Sequence, residues 1–167
     1  MGGWPVSLQA RPRIAFHLYN NANVLISRSS DGGKTWFPPV RVNRDPLEPS
    51  AGFGIDHFQP GVAVDSTGTL GVCWYDRRND PLNYKISRYC GVSWDHGTAW
   101  KDARVDPRIW PPIHATDALI NPYYLGDYDT VASDHTQGST GFQGAYGNVT
   151  LRTPVPNQDV FLVHLNK

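Results

Sequence analysis

Apolar residues in this chain come in short runs, not in long periodic stretches. Segments 13–18, 24–28, 61–64, 70–75, 84–89, 130–132, 144–151 and 159–165 are rich in β-branched or aromatic residues and bounded by Gly, Pro, Asn or Asp. Runs of that kind predict short strands joined by turns. No segment carries the 3.6-residue period of an amphipathic helix. Two stretches, 37–57 and 101–124, are rich in Pro, Arg and Asp and too long for hairpin turns. Loops of that length in a compact domain are often functional.

Self-comparison adds an internal repeat. Ile-Ser-Arg begins at Ile26 and again at Ile86, 60 residues apart. Upstream, the run from Pro60 to Asp65 resembles the run from Asp129 to Asp134, and a third copy begins at Asn157. A unit of roughly 60–70 residues holding about four strands fits the blade of a β-propeller.

Composition agrees with an all-β chain. Of 167 residues, 16 are Gly and 14 are Pro, fourteen of the fifteen acids are Asp, and Glu48 is the single Glu. Asp, Gly and Pro favour turns, whereas the helix formers Glu and Lys are scarce. A hydrophobic fraction of 40% suffices to bury a core, which argues against disorder. Net charge is zero, so broad electrostatic attraction to nucleic acid or an anionic membrane is not expected. No apolar run approaches a membrane span, and residues 1–13 carry no signal-peptide core.

Ser29, Asp31, Gly33, Thr35 and Trp36 follow the pattern Ser-x-Asp-x-Gly-x-Thr-Trp, and Ser93, Asp95, Gly97 and Trp100 repeat it with Ala99 in place of Thr. This motif resembles the Asp-box, or BNR repeat, of the sialidase superfamily. The segments Trp74 to Asn83, Leu125 to Asp129 and Asn157 to Phe161 are similar to the C-terminal half of bacterial sialidase-like propeller proteins. The resemblance implies about two and a half four-stranded antiparallel blades of a six-bladed propeller. The expected units are 1–42, 58–105 and 125–167, with connections 43–57 and 106–124, in one partial domain. It further implies a larger secreted or cell-envelope protein, with further blades N-terminal to this sequence, or else self-association of two copies. The boxes are expected to be structural, with Asp31 and Asp95 accepting amide hydrogens within their turns and Trp36 and Trp100 buried.

In the family the box joins the third and fourth strands of a blade, away from the active face. Loops 76–83 and 152–158 therefore fall on the opposite face, with Asp56, His57, Gln59, Asp76, Arg77, Arg78, Arg108, His114, Asp127, Tyr128, Asp129 and Arg152. A sialidase of this kind clamps a carboxylate with arginines, whose planar fork suits it, and attacks with a Tyr activated by Glu. The candidate arginines are Arg77, Arg78 and Arg152; the candidate tyrosines are Tyr75, Tyr128 and Tyr146. Catalytic candidates are thus Tyr128, Asp127, Arg77, Arg78 and Arg152, and ligand-binding candidates are Asp76, Arg77, Arg78, Asp127, Tyr128, Asp129 and Arg152. Nothing couples Glu48 to a Tyr, and the Asp-Arg-Arg run also reads as a loop brace, with Asp76 capping the turn and Arg77 pairing with Asp80. Asp127 and Asp129 suit Ca²⁺, sugar hydroxyls or the backbone of a strand start; no other cofactor is expected, and the scattered His show no zinc spacing. The reading taken forward is a non-catalytic module that recognises glycan or protein. The alternatives are part of an exo-sialidase-type glycoside hydrolase and a purely structural propeller. Cys73 and Cys90 stand on consecutive strands, either bonded or as two ordinary small residues, the latter favoured; Asn148-Val149-Thr150 is a glycosylation sequon.

Overall fold

The computed structural model describes residues 22–46, 54–112, 129–133, 141–152 and 155–166. Every regular element among them is a strand: β1 (Leu25–Ile26), β2 (Val40–Arg41), β3 (His57–Val64), β4 (Leu70–Asp76), β5 (Ser87–Ser93), β6 (Lys101–Arg104), β7 (Thr130–Ser133), β8 (Gly141–Arg152) and β9 (Val155–Asn166). They form three antiparallel sheets, β1-β2, β3-β4-β5-β6 and β7-β8-β9. No helix among the described residues is long and apolar enough to cross a membrane.

The middle sheet is covered on both faces. Along β4, Leu70, Val72 and Trp74 pack with Val24, Ile26 and Val42 of the first sheet. The alternate residues Gly71, Cys73 and Tyr75 face the third sheet, as the two-residue period of a strand requires. All seven residues of β4 are buried as a result. The close approach of the third sheet depends on missing side chains. A Cβ on Gly71 would lie 2.5 Å from the Phe142 ring, and one on Gly61 would lie 3.2 Å from Val131. Strand β7 therefore runs beside β3, placing the first strands of the two sheets next to each other.

Cys73 and Cys90 are directly opposed in the β4–β5 register and form a disulfide, with Cα atoms 4.0 Å apart. The expectation of two unbonded small residues is corrected. The hairpin places both Cβ atoms on the face that meets the third sheet, within bonding reach.

The two boxes adopt the same hydrogen-bond pattern. Each follows the penultimate strand of its sheet and precedes the last: box one lies between β1 and β2, box two between β5 and β6. Gly33 N–H donates to Ser29 Oγ and Thr35 N–H to Asp31. Gly97 N–H donates to Ser93 Oγ, and the Thr98 and Ala99 amides to Asp95. Each Trp indole N–H closes the turn on a Gly carbonyl. Gly33 (φ 89°) and Gly97 (φ 86°) hold the left-handed conformation that a side chain would strain.

Several sequence expectations change. The structural repeat is set by the boxes, 64 residues apart, not by the Ile-Ser-Arg triplets. Val42 N–H donates to Val24 carbonyl as Val105 N–H does to Arg88 carbonyl, so Val24 corresponds to Arg88 and not to Tyr84. The strand expected at 84–89 accordingly moves to Ser87–Ser93. Asp80 accepts the amides of Tyr84 and Lys85 and keeps that segment in the preceding loop. The loop expected at 152–158 is mostly strand, because β8 and β9 pair continuously from Gly141–Asn166 to Arg152–Val155. Trp36 is not buried: it is 40% exposed, against 7% for Trp100. Trp100 lies over Gly91 beside Trp74 in the first core cluster, whereas Trp36 is followed by Phe37-Pro38-Pro39 and a two-residue strand.

Trp100→Ala is expected to cost about 3–5 kcal/mol, the range for truncating a buried large aromatic. Trp36→Ala is expected to cost less than half of that, since its ring keeps much of its contact with water. Urea unfolding of both variants measures the difference.

Candidate functional site

Antiparallel pairing separates the two ends of the middle sheet. The boxes occupy one end; the start of β3, the end of β4, the start of β5 and the end of β6 meet at the other. Two clusters of charged and aromatic side chains lie at this second end.

The first cluster joins the first sheet to the second around His57, whose side chain is fully buried. Its Nδ1 lies 2.7 Å from the Ala22 carbonyl, and its Nε2 lies 3.2 Å from Asp45 and 3.3 Å from Asp76. These are ion-pair distances, with no hydrogen bond aligned on either oxygen. Arg78 closes the far side, 2.8 Å from both Asp76 and Asp102 and 3.5 Å from Asp45, with its guanidinium 4.0 Å over the Tyr89 ring. Arg41 pairs with Asp45, and the Trp74 indole donates to Asp76. Three carboxylates thus face three cationic groups. Burial by itself would lower the His57 pKa, but the Asp45 and Asp76 carboxylates beside its Nε2 raise it to about 9. Burial opposes ionisation of Asp76 too, yet His57 and Arg78 hold it below the usual carboxylate range.

The second cluster joins the second sheet to the third. Tyr75 donates its hydroxyl hydrogen toward Asp129 and the Gly147 carbonyl, both at 3.0 Å, and its oxygen accepts Gly147 N–H. Arg88, fully buried, lies 3.2 Å from Asp129 and stacks 4.5 Å from the Tyr75 ring and 5.3 Å from the Tyr146 ring. Its Nε and Nη2 have no hydrogen-bond partner and lie among these rings. Tyr146 donates to Asp106 at 2.8 Å, and Arg108 holds both oxygens of that carboxylate while stacking 3.8 Å over Phe161. Burial and the neighbouring carboxylates push both tyrosines well above the ordinary phenol range. Burial resists ionisation of Asp106, and the Arg108 hydrogen bonds overcome it, so its pKa falls.

The sequence candidates divide accordingly. Asp76 and Arg78 belong to the buried ion network, and Asp76 also accepts Arg78 N–H, which is the turn cap expected of it. Arg77 pairs with Asp56 at 3.3 Å and donates to the Asn83 carbonyl; the Asp80 side chain instead holds backbone amides. Asp129 serves Tyr75 and Arg88. Asp127, Tyr128, His114 and Glu48 lie outside the described residues, and Arg152 is placed only as the end of β8. No group of His, Cys, Asp or Glu among the described residues is arranged to hold a metal ion. Asp45, Arg88, Asp102 and Asp106 were missed. A charge inside the apolar run of β5 was the available signal for Arg88; Asp45 and Asp102 gave none.

Compared with known proteins, the chain matches no family model and no curated protein.

Arg78→Ala leaves the carboxylates of Asp76, Asp45 and Asp102 short of a cation and is expected to cost about 3–5 kcal/mol in denaturant unfolding. The folded pKa of His57, about 9, exceeds the ordinary imidazole value of 6.5, so its stabilisation is complete below pH 6.5 and is lost as pH rises through about 9. Melting temperature is expected to fall between pH 7 and 10, and His57→Gln to flatten that dependence.

Proposed function

We propose that this chain is part of a sialidase-like propeller that recognises a glycan or a protein and does not hydrolyse it. Two boxes with matching hydrogen bonds, each before the last strand of its sheet, support the propeller reading. So does the stacking of consecutive antiparallel sheets with first strands side by side. The Cys73–Cys90 disulfide suits an oxidising compartment and hence a secreted or cell-envelope location.

The state of the Tyr–carboxylate pairs carries the non-catalytic reading. A tyrosine nucleophile needs a phenol that loses its proton readily to a competent base. In the Tyr146–Asp106 pair the phenol is shifted up and the carboxylate down, so proton transfer is opposed at both ends. The Tyr75 hydroxyl is committed to Asp129 and to the Gly147 backbone. The arginines suited to a carboxylate clamp, Arg78 and Arg88, are held against Asp76, Asp102 and Asp129. The hydrolase alternative keeps one observation in its favour, the 2.8 Å contact of Tyr146 with a carboxylate. Recognition falls to the end opposite the boxes, where Arg77 and Arg108 remain partly exposed.

The chain is expected to release no fluorophore from a fluorogenic sialoside above a denatured control. Turnover abolished by Tyr146→Phe or Tyr128→Phe supports the hydrolase instead. On a glycan array, Arg77→Ala is expected to weaken any signal about tenfold, in line with loss of a partly exposed charged contact. Retention of the whole signal in Arg77→Ala removes that end from the recognition surface.

A further inference from the structure

Arg78 and Arg88 both hold their charge between sheets, and they are compensated unequally. Arg78 lies within 3.5 Å of three carboxylates, Asp45, Asp76 and Asp102, and its pKa is raised although burial opposes it. Arg88 meets one carboxylate, Asp129, at 3.2 Å from Nη1, and that carboxylate also accepts the Tyr75 hydroxyl. Burial lowers the Arg88 pKa, and Asp129 does not restore it. The other carboxylate of this cluster, Asp106, is taken, because Arg108 and Tyr146 hold both of its oxygens.

The part of Arg88 left over has a definite shape. Nε and Nη2 form one side of the guanidinium, a fork of two nearly parallel N–H donors, and both are buried with no hydrogen-bond partner among the described residues. The Tyr75 and Tyr146 rings lie 4.5 and 5.3 Å from the guanidinium carbon. Such contacts ease a positive charge but accept none of the N–H bonds in the guanidinium plane. Trp110 adds a third donor to the same aromatic cluster. Its ring centroid is 6.4 Å from that of Tyr75 and 6.5 Å from that of Tyr146, and its indole N–H is likewise buried and unpartnered.

Leaving a buried, charged donor unpaired is costly, so a fork of this kind calls for an anion. The surroundings decide which. Aromatic rings and Ile86 offer nothing to pair with the outer oxygens of a sulfate or phosphate. A spherical halide needs only a few donors and is compatible with the positive edges of aromatic rings. We propose that a chloride ion binds between the second and third sheets, held by the Nε–Nη2 fork of Arg88 and shielded by Tyr75, Tyr146 and Trp110. The ion supplies the counter-charge that Asp129 gives only in part. Because Tyr146 belongs to the third sheet and Asp129 to its entrance, chloride strengthens the docking of that sheet on the second. The inference is independent of the recognition function above.

Melting of the full chain in mixtures of sodium chloride and sodium gluconate at constant ionic strength tests it. The melting temperature is expected to rise saturably with chloride, by about 3–6 °C once the ion is about tenfold above its dissociation constant. Bromide is expected to replace chloride. Arg88→Gln removes the fork and is expected to abolish the rise. If that variant does not fold, crystals of the wild type soaked in bromide decide, with an anomalous peak expected within hydrogen-bonding reach of Arg88 Nε and Nη2. A melting temperature indifferent to the exchange of gluconate for chloride overturns the proposal. So does a rise of equal size in Arg88→Gln, and so does a bromide peak anywhere but at Arg88. A saturable rise with acetate and none with halides also overturns it, and marks a carboxylate site instead.

Discussion

Covering both faces of β4 leaves the polar groups of the middle sheet only its two ends at which to find partners. Along the strand, Leu70, Val72 and Trp74 meet the first sheet while Gly71, Cys73 and Tyr75 meet the third. Neither face offers water to a charged side chain, so any charge carried inward must bring its counter-charge with it. The two ends solve this differently. At one end the boxes bend the chain with their own side chains and expose carboxylates at the surface. Asp31, held down to about 2 chiefly by the Thr35 hydroxyl, and Asp95, lowered chiefly by the Ala99 amide, satisfy only their own turns. At the other end the charges gather between sheets.

Those gathered charges act as seams. His57 and Arg78 hold Asp45, from the segment after β2, against Asp76 and Asp102 of the middle sheet. Arg88 and Tyr75 hold Asp129, at the entrance to β7, against the same sheet from the other side. Neither seam is required for stability in principle, because apolar packing of equal volume often does as well. Once present, each member is costly to remove alone. The seams also specify alignment: an apolar interface tolerates sliding, whereas a carboxylate between a His and an Arg fixes the register of the two sheets. The same commitment explains why the arginines at this end are poor substrate clamps. Their donors already face carboxylates or aromatic rings.

Much of the fold was legible in the sequence because strands and turns are local. Short apolar runs between Gly, Pro, Asn and Asp marked β3, β4, β7, β8 and β9, and the Ser-x-Asp-x-Gly pattern marked both turns and the Asp carboxylates that accept amides within them. These features depend on φ preferences, on two-residue alternation and on side chains reaching backbone a few positions away. The short strands β2 and β6 carried too little apolar character to be marked, since they pair at sheet edges.

What the sequence left open was decided by which faces meet. Two copies of one motif gave Trp100 a covered ring and Trp36 an exposed one, because burial depends on the neighbouring sheet and not on the turn. The Ile-Ser-Arg triplets suggested one repeat spacing and the packing chose another, four residues longer, which preserves the face of every side chain. Cys73 and Cys90 were compatible with two outcomes until the β4–β5 register set them opposite each other. The Asp-Arg-Arg run read as a brace ahead of a clamp, but the carboxylates that Arg78 braces, Asp45 and Asp102, arrive from distant segments that no local pattern marks. Pairwise charge compensation and sheet stacking join residues far apart in the chain, so no local pattern encodes them; the sequence by itself determined the strands and turns, and tertiary packing determined what each charged side chain is for.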